Sequence, residues 1–413
     1  MKPIALLLIT ILVFAGCSDE DSTTASSQTV KIGALYPLSG PVAPTGAELK
    51  AAIELANEVA MGTVPLPLPA NSGRTASKRK IEVIFKDYGD DPRNAAAAVE
   101  ELVKKDGVSA IIGCYQSAAS MVASEKAEVL GIPFLNAEST APLLTARGFK
   151  WFFRTTPDDD IFVQNFFSFL KEAAASNPGI PHNIALVYEN QAWGTGVAQA
   201  EKRAAAENGF TVVADVPYDA TKTDFSVELK TIANAMPAII LQVSYDADAV
   251  AFTRGYLGEG IPSSSILAMD GGFISSSYVA TMGTRADGVL TRDVFFISRD
   301  GGSALVKEVD RLLKARTGSD LNGNSARAFT GFMVLADAVK RAKSTKPEDI
   351  RQALLETDIP KESIIMPWDG IRFDPATGQN TKGRGIIEQM REGRYVPVWP
   401  AESAQTEVRW TTK

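Results

Sequence analysis

From residue 30 onward, short apolar runs rich in β-branched residues alternate with stretches whose apolar positions recur at helical spacing. "VKIGALY" precedes a helical pattern over 47–60, "IEVIFKDY" precedes "PRNAAAAVEELVKKD", "VSAIIG" precedes a helix over 118–130, and "IPFLN" closes the series. After "KWFFRTTPDDD" the alternation starts again. It runs through "NIALVYE", a helix over 194–208, "TVVADVPY", a helix near 224–234, "AIILQVS", a helix over 247–257 and "SILAMD". Such alternation predicts βαβ units in parallel sheets, and its restart predicts an α/β protein of two Rossmann-like, doubly wound lobes. The tail predicts helices over 303–316, 326–343 and 347–356, then strand-like "GIRFD", "RGIIEQMR" and "RYVPVW". Residues 61–79, with three prolines, are too long for an ordinary helix-to-strand connection and predict an exposed loop.

The size agrees with two lobes: 413 residues, 45% of them hydrophobic, can bury a large core. A formal charge of -7 makes the chain a poor partner for nucleic acid or anionic lipid surfaces, where a basic face would be expected. The first 17 residues form a different kind of segment, with Lys2, the apolar "IALLLITILVFA" and a small-residue exit, and predict a signal peptide. "LVFAGC" resembles a bacterial lipobox, which implies lipid attachment at Cys17, with residues 18–28 as a polar tether. Cys114 is then the only remaining cysteine, so no internal disulfide is expected and a buried thiol is.

Catalytic chemistry is scarce. His182 is the only histidine, which removes most metal sites and any Ser-His-Asp arrangement, and neither a GxSxG, a Walker-type nor a CxxC pattern occurs. "GTGVAQ" at 194–199 lacks the third glycine of a dinucleotide fingerprint, so its glycines predict a tight helix entry. Asp90 with Asp91, and Asp158 to Asp160, stand just before helical patterns, where capping explains them. No enzyme, metal or cofactor is expected.

Parallel sheets bind ligands outside the carboxyl ends of their strands. Those ends here are "YPLSGPVAPTG", "GCYQSAAS", "LNAEST", "YENQAWG", "SYDAD" and "MDGG". Ser117 and Thr140 fall near helix N-termini, which favour a carboxylate. Trp193, Tyr245 and Asp270 fall at the corresponding end of the second lobe, where an acid flanked by aromatics suits an ammonium. Singly, each has an ordinary role as cap, packing residue or turn former; their shared end makes them a candidate site.

Five stretches, "GALYPLSGPVAPTG", "ASEKAEVLGIPFLNAEST", "TAPLLTARGFKWFFRTTPDDD", "VYENQAWGTG" and "TGFMVLADAV", resemble the periplasmic leucine/isoleucine/valine-binding proteins, type I solute-binding proteins of branched-chain amino acid ABC transporters. The resemblance implies two lobes joined by three hinge crossovers, 29–154 with 291–379 and 155–290 with 380–413, closing on a ligand. It puts carboxylate contacts at Ser117 and Thr140, with Ser139 and the backbone around Glu138 beside them, the ammonium-side tyrosine and acid at Tyr245 and Asp270, and a lid aromatic at Trp193. Thr45 replaces the family's ligand-packing aromatic, and Asp90 and Gln116 stand at its disulfide positions, Gln116 being carried as a further candidate ligand contact. Arg327 replaces an apolar pocket residue; pointing inward it would favour an acidic or hydrogen-bonding ligand side chain, pointing outward it is a solvated helix residue. The opening loop is then the first wall of an amino-acid cleft, with Gly40 and Gly46 allowing its turn and Ser39 or Thr45 near the ligand. The implied protein is a periplasmic, lipid-anchored monomer that delivers an amino acid or similar zwitterion to a permease and ATPase complex. The alternatives are a receptor that senses amides or small carboxylates with the same fold, and a hydrolase of small amides.

Overall fold

The computed structural model describes residues 29–67, 79–176, 182–261, 265–298 and 300–410. Cys17, the tether and residues 68–78 of the predicted loop lie outside the described residues. In chain order, β1 (Val30–Tyr36), α1 (Ala43–Ala60), β2 (Ile81–Asp87), α2 (Asn94–Glu101), β3 (Ala110–Gly113), α3 (Ser117–Leu130), β4 (Phe134–Asn136), α4 (Leu143–Ala146) and β5 (Phe152–Arg154) build the first unit. The second follows with α5 (Asp159–Ser176), β6 (Asn183–Glu189), α6 (Ala192–Asn208), β7 (Thr211–Tyr218), α7 (Ser226–Ala235), β8 (Ile239–Val243), α8 (Asp246–Glu259), β9 (Ser265–Met269), α9 (Ser276–Met282) and β10 (Leu290–Asp293). The tail adds α10 (Ala304–Thr317), α11 (Gly323–Arg341), α12 (Pro347–Leu355), β11 (Asp358–Pro360), β12 (Gly370–Arg372), β13 (Ile386–Arg391) and β14 (Arg394–Trp399).

One sheet is parallel, in the order β2-β1-β3-β4-β5; the other runs β14-β13-β10-β9-β8-β6-β7, with only β13 and β14 antiparallel to their neighbours. Strand order reverses between β1 and β3 and again between β6 and β8. Such switch points open a crevice at the carboxyl ends of the strands, because the two connections leave to opposite faces. α1 begins at Ala43, earlier than expected, because Pro44 fits the first turn, where a backbone N–H has no partner to lose. Gly46 is obligatory there: a Cβ would come 1.8 Å from the carbonyl oxygen of Pro37. α5 completes the segment headed by the acids, and Asp158 caps it by accepting from the Ile161 N–H at 3.1 Å.

Three crossovers join the units. Two are zipped together: the Arg154 N–H donates to Gly378 at 2.9 Å, the Asn380 N–H donates to Arg154 at 2.8 Å, and the Asn380 amide reaches the Thr155 carbonyl at 2.9 Å. The third follows β10. α11 packs along α1 and is buried on every face from Gly323 to Ala336, its N-terminus held by a capping box of Asn322 and Ser325. Among the described residues no helix is long and apolar enough to cross a membrane.

Candidate functional site

The carboxyl ends of β3 and β4 face those of β6, β8 and β9 across the space between the sheets. Eight of the ten ligand-site candidates line one small cavity there: Ser117, Glu138, Ser139, Thr140, Trp193, Tyr245, Asp270 and Arg327. Tyr115 and Gly271, which the sequence reading did not single out, complete it. Its volume is about 20 Å³, room for roughly one water. The units are therefore closed on one another, and any solute enters only when they part.

One wall is aromatic and built from both units. Tyr245 meets Tyr115 edge-on at 5.6 Å between ring centroids and Trp193 at 4.9 Å. The glycine pair after Asp270 makes this packing possible: a Cβ on Gly271 would lie 2.5 Å from the Trp193 ring, and one on Gly272 would lie 2.1 Å from the Tyr245 carbonyl oxygen. Gly194 likewise permits the tight entry into α6 expected of "GTG", since a Cβ there would lie 2.1 Å from the Glu189 carbonyl oxygen.

The opposite wall is the start of α3 with the loop after β4. Ser139 is held by internal bonds, its hydroxyl lying 2.7 Å from that of Ser120 and 2.9 Å from the Cys114 carbonyl, so it positions the loop. Ser117 and Thr140 are buried; Ser117 opens α3, whose first turn has no side-chain cap, and its hydroxyl accepts from the N–H of Ala141, next to Thr140, at 3.4 Å. Glu138 accepts from the Tyr36 hydroxyl at 3.2 Å, and burial pushes its carboxyl up to about 8, so it holds a proton at neutral pH.

Arg327 points inward, fully buried. Its Nη1 donates to Asp270 at 2.8 Å and its Nη2 to Asn324 at 2.8 Å. Arg292, also missed by the sequence reading, donates to the same Asp270 oxygen at 2.5 Å, while the other oxygen accepts from the Gly271 N–H. Both oxygens of the acid expected to meet an ammonium are thus already engaged by protein donors. Arg292 lies under no surface at all: its guanidinium stacks 3.5 Å from the Phe162 ring centroid and its Nη2 stands 3.8 Å from Asp159. Nε of Arg327, Nε1 of Trp193 and the Tyr115 hydroxyl are buried without hydrogen-bond partners among the described residues. Unsatisfied buried donors are costly, so this cleft is chemically set to receive an acceptor.

Thr45 and Gln116 do not line the cavity. Thr45 instead donates to Asp246 at 2.6 Å, tying α1 to the head of α8 across the cleft. Gln116 is the N-cap position of α3. Ser39 is exposed and bonds Asp87 at 2.6 Å. His182 is exposed, stacked on Phe210, and Cys114 is a buried free thiol.

The periplasmic binding protein family profile matches residues 29–388. The Leu/Ile/Val-binding protein homolog 7 of Brucella suis biovar 1 (strain 1330) is 26% identical over 390 residues, covering 93% of this chain and 94% of the relative. Among solved structures, the branched-chain amino acid transporter substrate binding protein LivJ from Streptococcus pneumoniae, in complex with isoleucine, superposes with a TM-score of 0.76 at 22% identity, covering 89% of this chain and 98% of its own. An ABC transporter solute binding protein from R. palustris, in complex with benzoate, superposes with a TM-score of 0.75 at 18% identity, covering 92% and 99%. At those identities the two structures speak for the two-lobed fold.

Proposed function

The chain belongs to the periplasmic binding protein family and is a binding protein, not an enzyme, and on that premise we propose that it is the solute-binding component of an ABC importer that closes its lobes over a small carboxylate-bearing solute. The observation that carries the choice of solute is the double ion pair at Asp270, which leaves two guanidiniums sharing one carboxylate beside unpaired N–H and O–H donors. In this reading the solute's carboxylate lies at Ser117, Thr140 and the start of α3, a second acidic or hydrogen-bonding group faces Arg327, and Tyr115, Tyr245 and Trp193 enclose its body. Acidic amino acids and aromatic carboxylates both satisfy that description. Closure is a population shift: the solute supplies contacts that exist only with the lobes together, and the protein's own Thr45–Asp246 bond across the cleft adds to them.

An apolar α-amino acid is the second reading, favoured by the match of Asp270 to the family's ammonium-binding acid and by the names of the curated relatives. It requires an ammonium to displace a guanidinium from Asp270. The rest of the reading keeps the expected two lobes, except that the 290/291 boundary moves past β10 because Leu290–Asp293 pairs with β9 and β13 in the second sheet, and it keeps a monomer outside the cytoplasm and a lipid anchor at Cys17. A sensory role would use the same closure with a signalling partner in place of the permease.

The test is Arg327→Leu. Titration calorimetry of wild type and variant against L-glutamate, benzoate and L-leucine should show the wild type preferring the first two and the variant moving toward leucine. A variant with the wild-type order of preference overturns the role given to Arg327.

A further inference from the structure

A second, much larger cavity of about 850 Å³ lies beside the third crossover and shares no lining residue with the cleft. Its walls come from both lobes: the segment after β10, the turn between α10 and α11, α9, and the β13–β14 hairpin. The sheet places an unusual group of side chains on it. In the β10–β13 register Thr291 opposes Glu388, so Asp293, two residues on, is the diagonal neighbour of Glu388 on the same face. Tyr395 joins that face because it opposes Met390, two residues beyond Glu388.

Glu388 is only 4% exposed, yet among the described residues its side chain has neither a hydrogen bond nor an ion pair. The Tyr395 hydroxyl is buried and equally without a partner. Asp293, 3% exposed, uses one oxygen for its neighbour's N–H and among the described residues makes no ion pair, the buried Arg327 and Arg292 acting on it only from a distance. Burial and the like charge of Asp293 hold the Glu388 carboxyl well above the usual range, as expected of an acid without a counter-charge. Phe295, Leu321 and Val396 supply apolar walls, and Arg394 is exposed at the rim. No group of three metal-ligating side chains occurs among the described residues, and the volume is that of a small-molecule pocket. A buried acid facing an open, partly aromatic cavity calls for a cation with an organic body.

We propose that this cavity binds a small organic ammonium ion, with Glu388, Asp293 and the Tyr395 hydroxyl accepting its N–H donors. Because both lobes line the cavity, such a cation bridges them behind the solute cleft.

Calorimetry with n-butylammonium and 1,4-diammoniobutane, each to about 10 mM and with 1-butanol as the neutral control, tests it without any cleft solute. Wild type should bind an ammonium saturably and ignore butanol. Glu388→Gln matches the neutral, protonated carboxyl in shape and so should fold, but it cannot ionise against a bound ammonium and should bind about ten- to a hundredfold more weakly, the loss of one charge-assisted bond. Tyr395→Phe should weaken binding less. Absence of saturable binding by wild type, or equal binding by wild type and both variants, overturns the proposal.

Discussion

Replacing Asp270 by asparagine separates what this side chain does for the fold from what it does for the solute. Its carboxylate is 2% exposed and holds Arg292 at 2.5 Å and Arg327 at 2.8 Å, both buried. Asparagine keeps one acceptor oxygen but no charge, leaving two guanidiniums without their shared counter-ion. Breaking a buried pair of this kind costs about 3–5 kcal/mol. In a protein of this size that is a fall in Tm on the order of 10 °C. Binding should move the other way. A solute carboxylate roughly 8 Å from Asp270 is relieved of about 2 kcal/mol of repulsion at an effective dielectric near 20, equivalent to a roughly thirtyfold gain in affinity. The assays are scanning fluorimetry with and without solute, and titration calorimetry with benzoate and glutarate. A folded variant of unchanged Tm would refute the double ion pair. A folded variant that no longer binds carboxylates would refute the assignment of Asp270 as a partner of arginines instead of an ammonium.

Three further outcomes are expected. Thr45→Val removes the bond to Asp246 across the cleft, a net loss of about 1–2 kcal/mol, so the solute Kd should rise about five- to thirtyfold while Tm without solute changes little; an unchanged Kd would mean the bond does not form on closure. Burial raises Glu138 to about 8, and Glu48 and Asp159 to about 7. The folded chain thus binds these protons more tightly than the unfolded one, so stability should fall as pH rises from about 4.5 to about 8 and level off above, with Glu138→Gln flattening part of that slope in a pH series of Tm values. Cys17→Ser should move the protein from the membrane fraction to the soluble one, and a variant that stays with the membrane excludes lipidation at that residue.

The alternating pattern made the fold legible because each buried strand is a short apolar run set off by polar turns, and the restart after "KWFFRTTPDDD" marked the second lobe. The strand-end rule grouped Ser117, Thr140, Trp193, Tyr245 and Asp270, which do line one cavity, because switch-point geometry depends only on strand order. Two things lay beyond that reading. The direction of Arg327 stayed open because α11 is buried on every face, so helical periodicity offers no polar side to assign it to. Arg292 was overlooked although "TRD" interrupts the apolar run "VL…VFF", a charged residue inside a buried strand being the available signal. Thr45 and Asp246 are separated by 201 positions, and nothing local links them.

The most direct test of a cleft that receives a carboxylate without a dedicated ammonium site is calorimetry with solutes matched in all but the α-ammonium: L-glutamate against glutarate, L-phenylalanine against 3-phenylpropanoate, L-leucine against 4-methylpentanoate. The account predicts that the partner lacking the ammonium binds at least as tightly in each pair that binds. Binding confined to the amino acids, with about a hundredfold loss or more on removing the ammonium, would contradict it and return Asp270 to the ammonium.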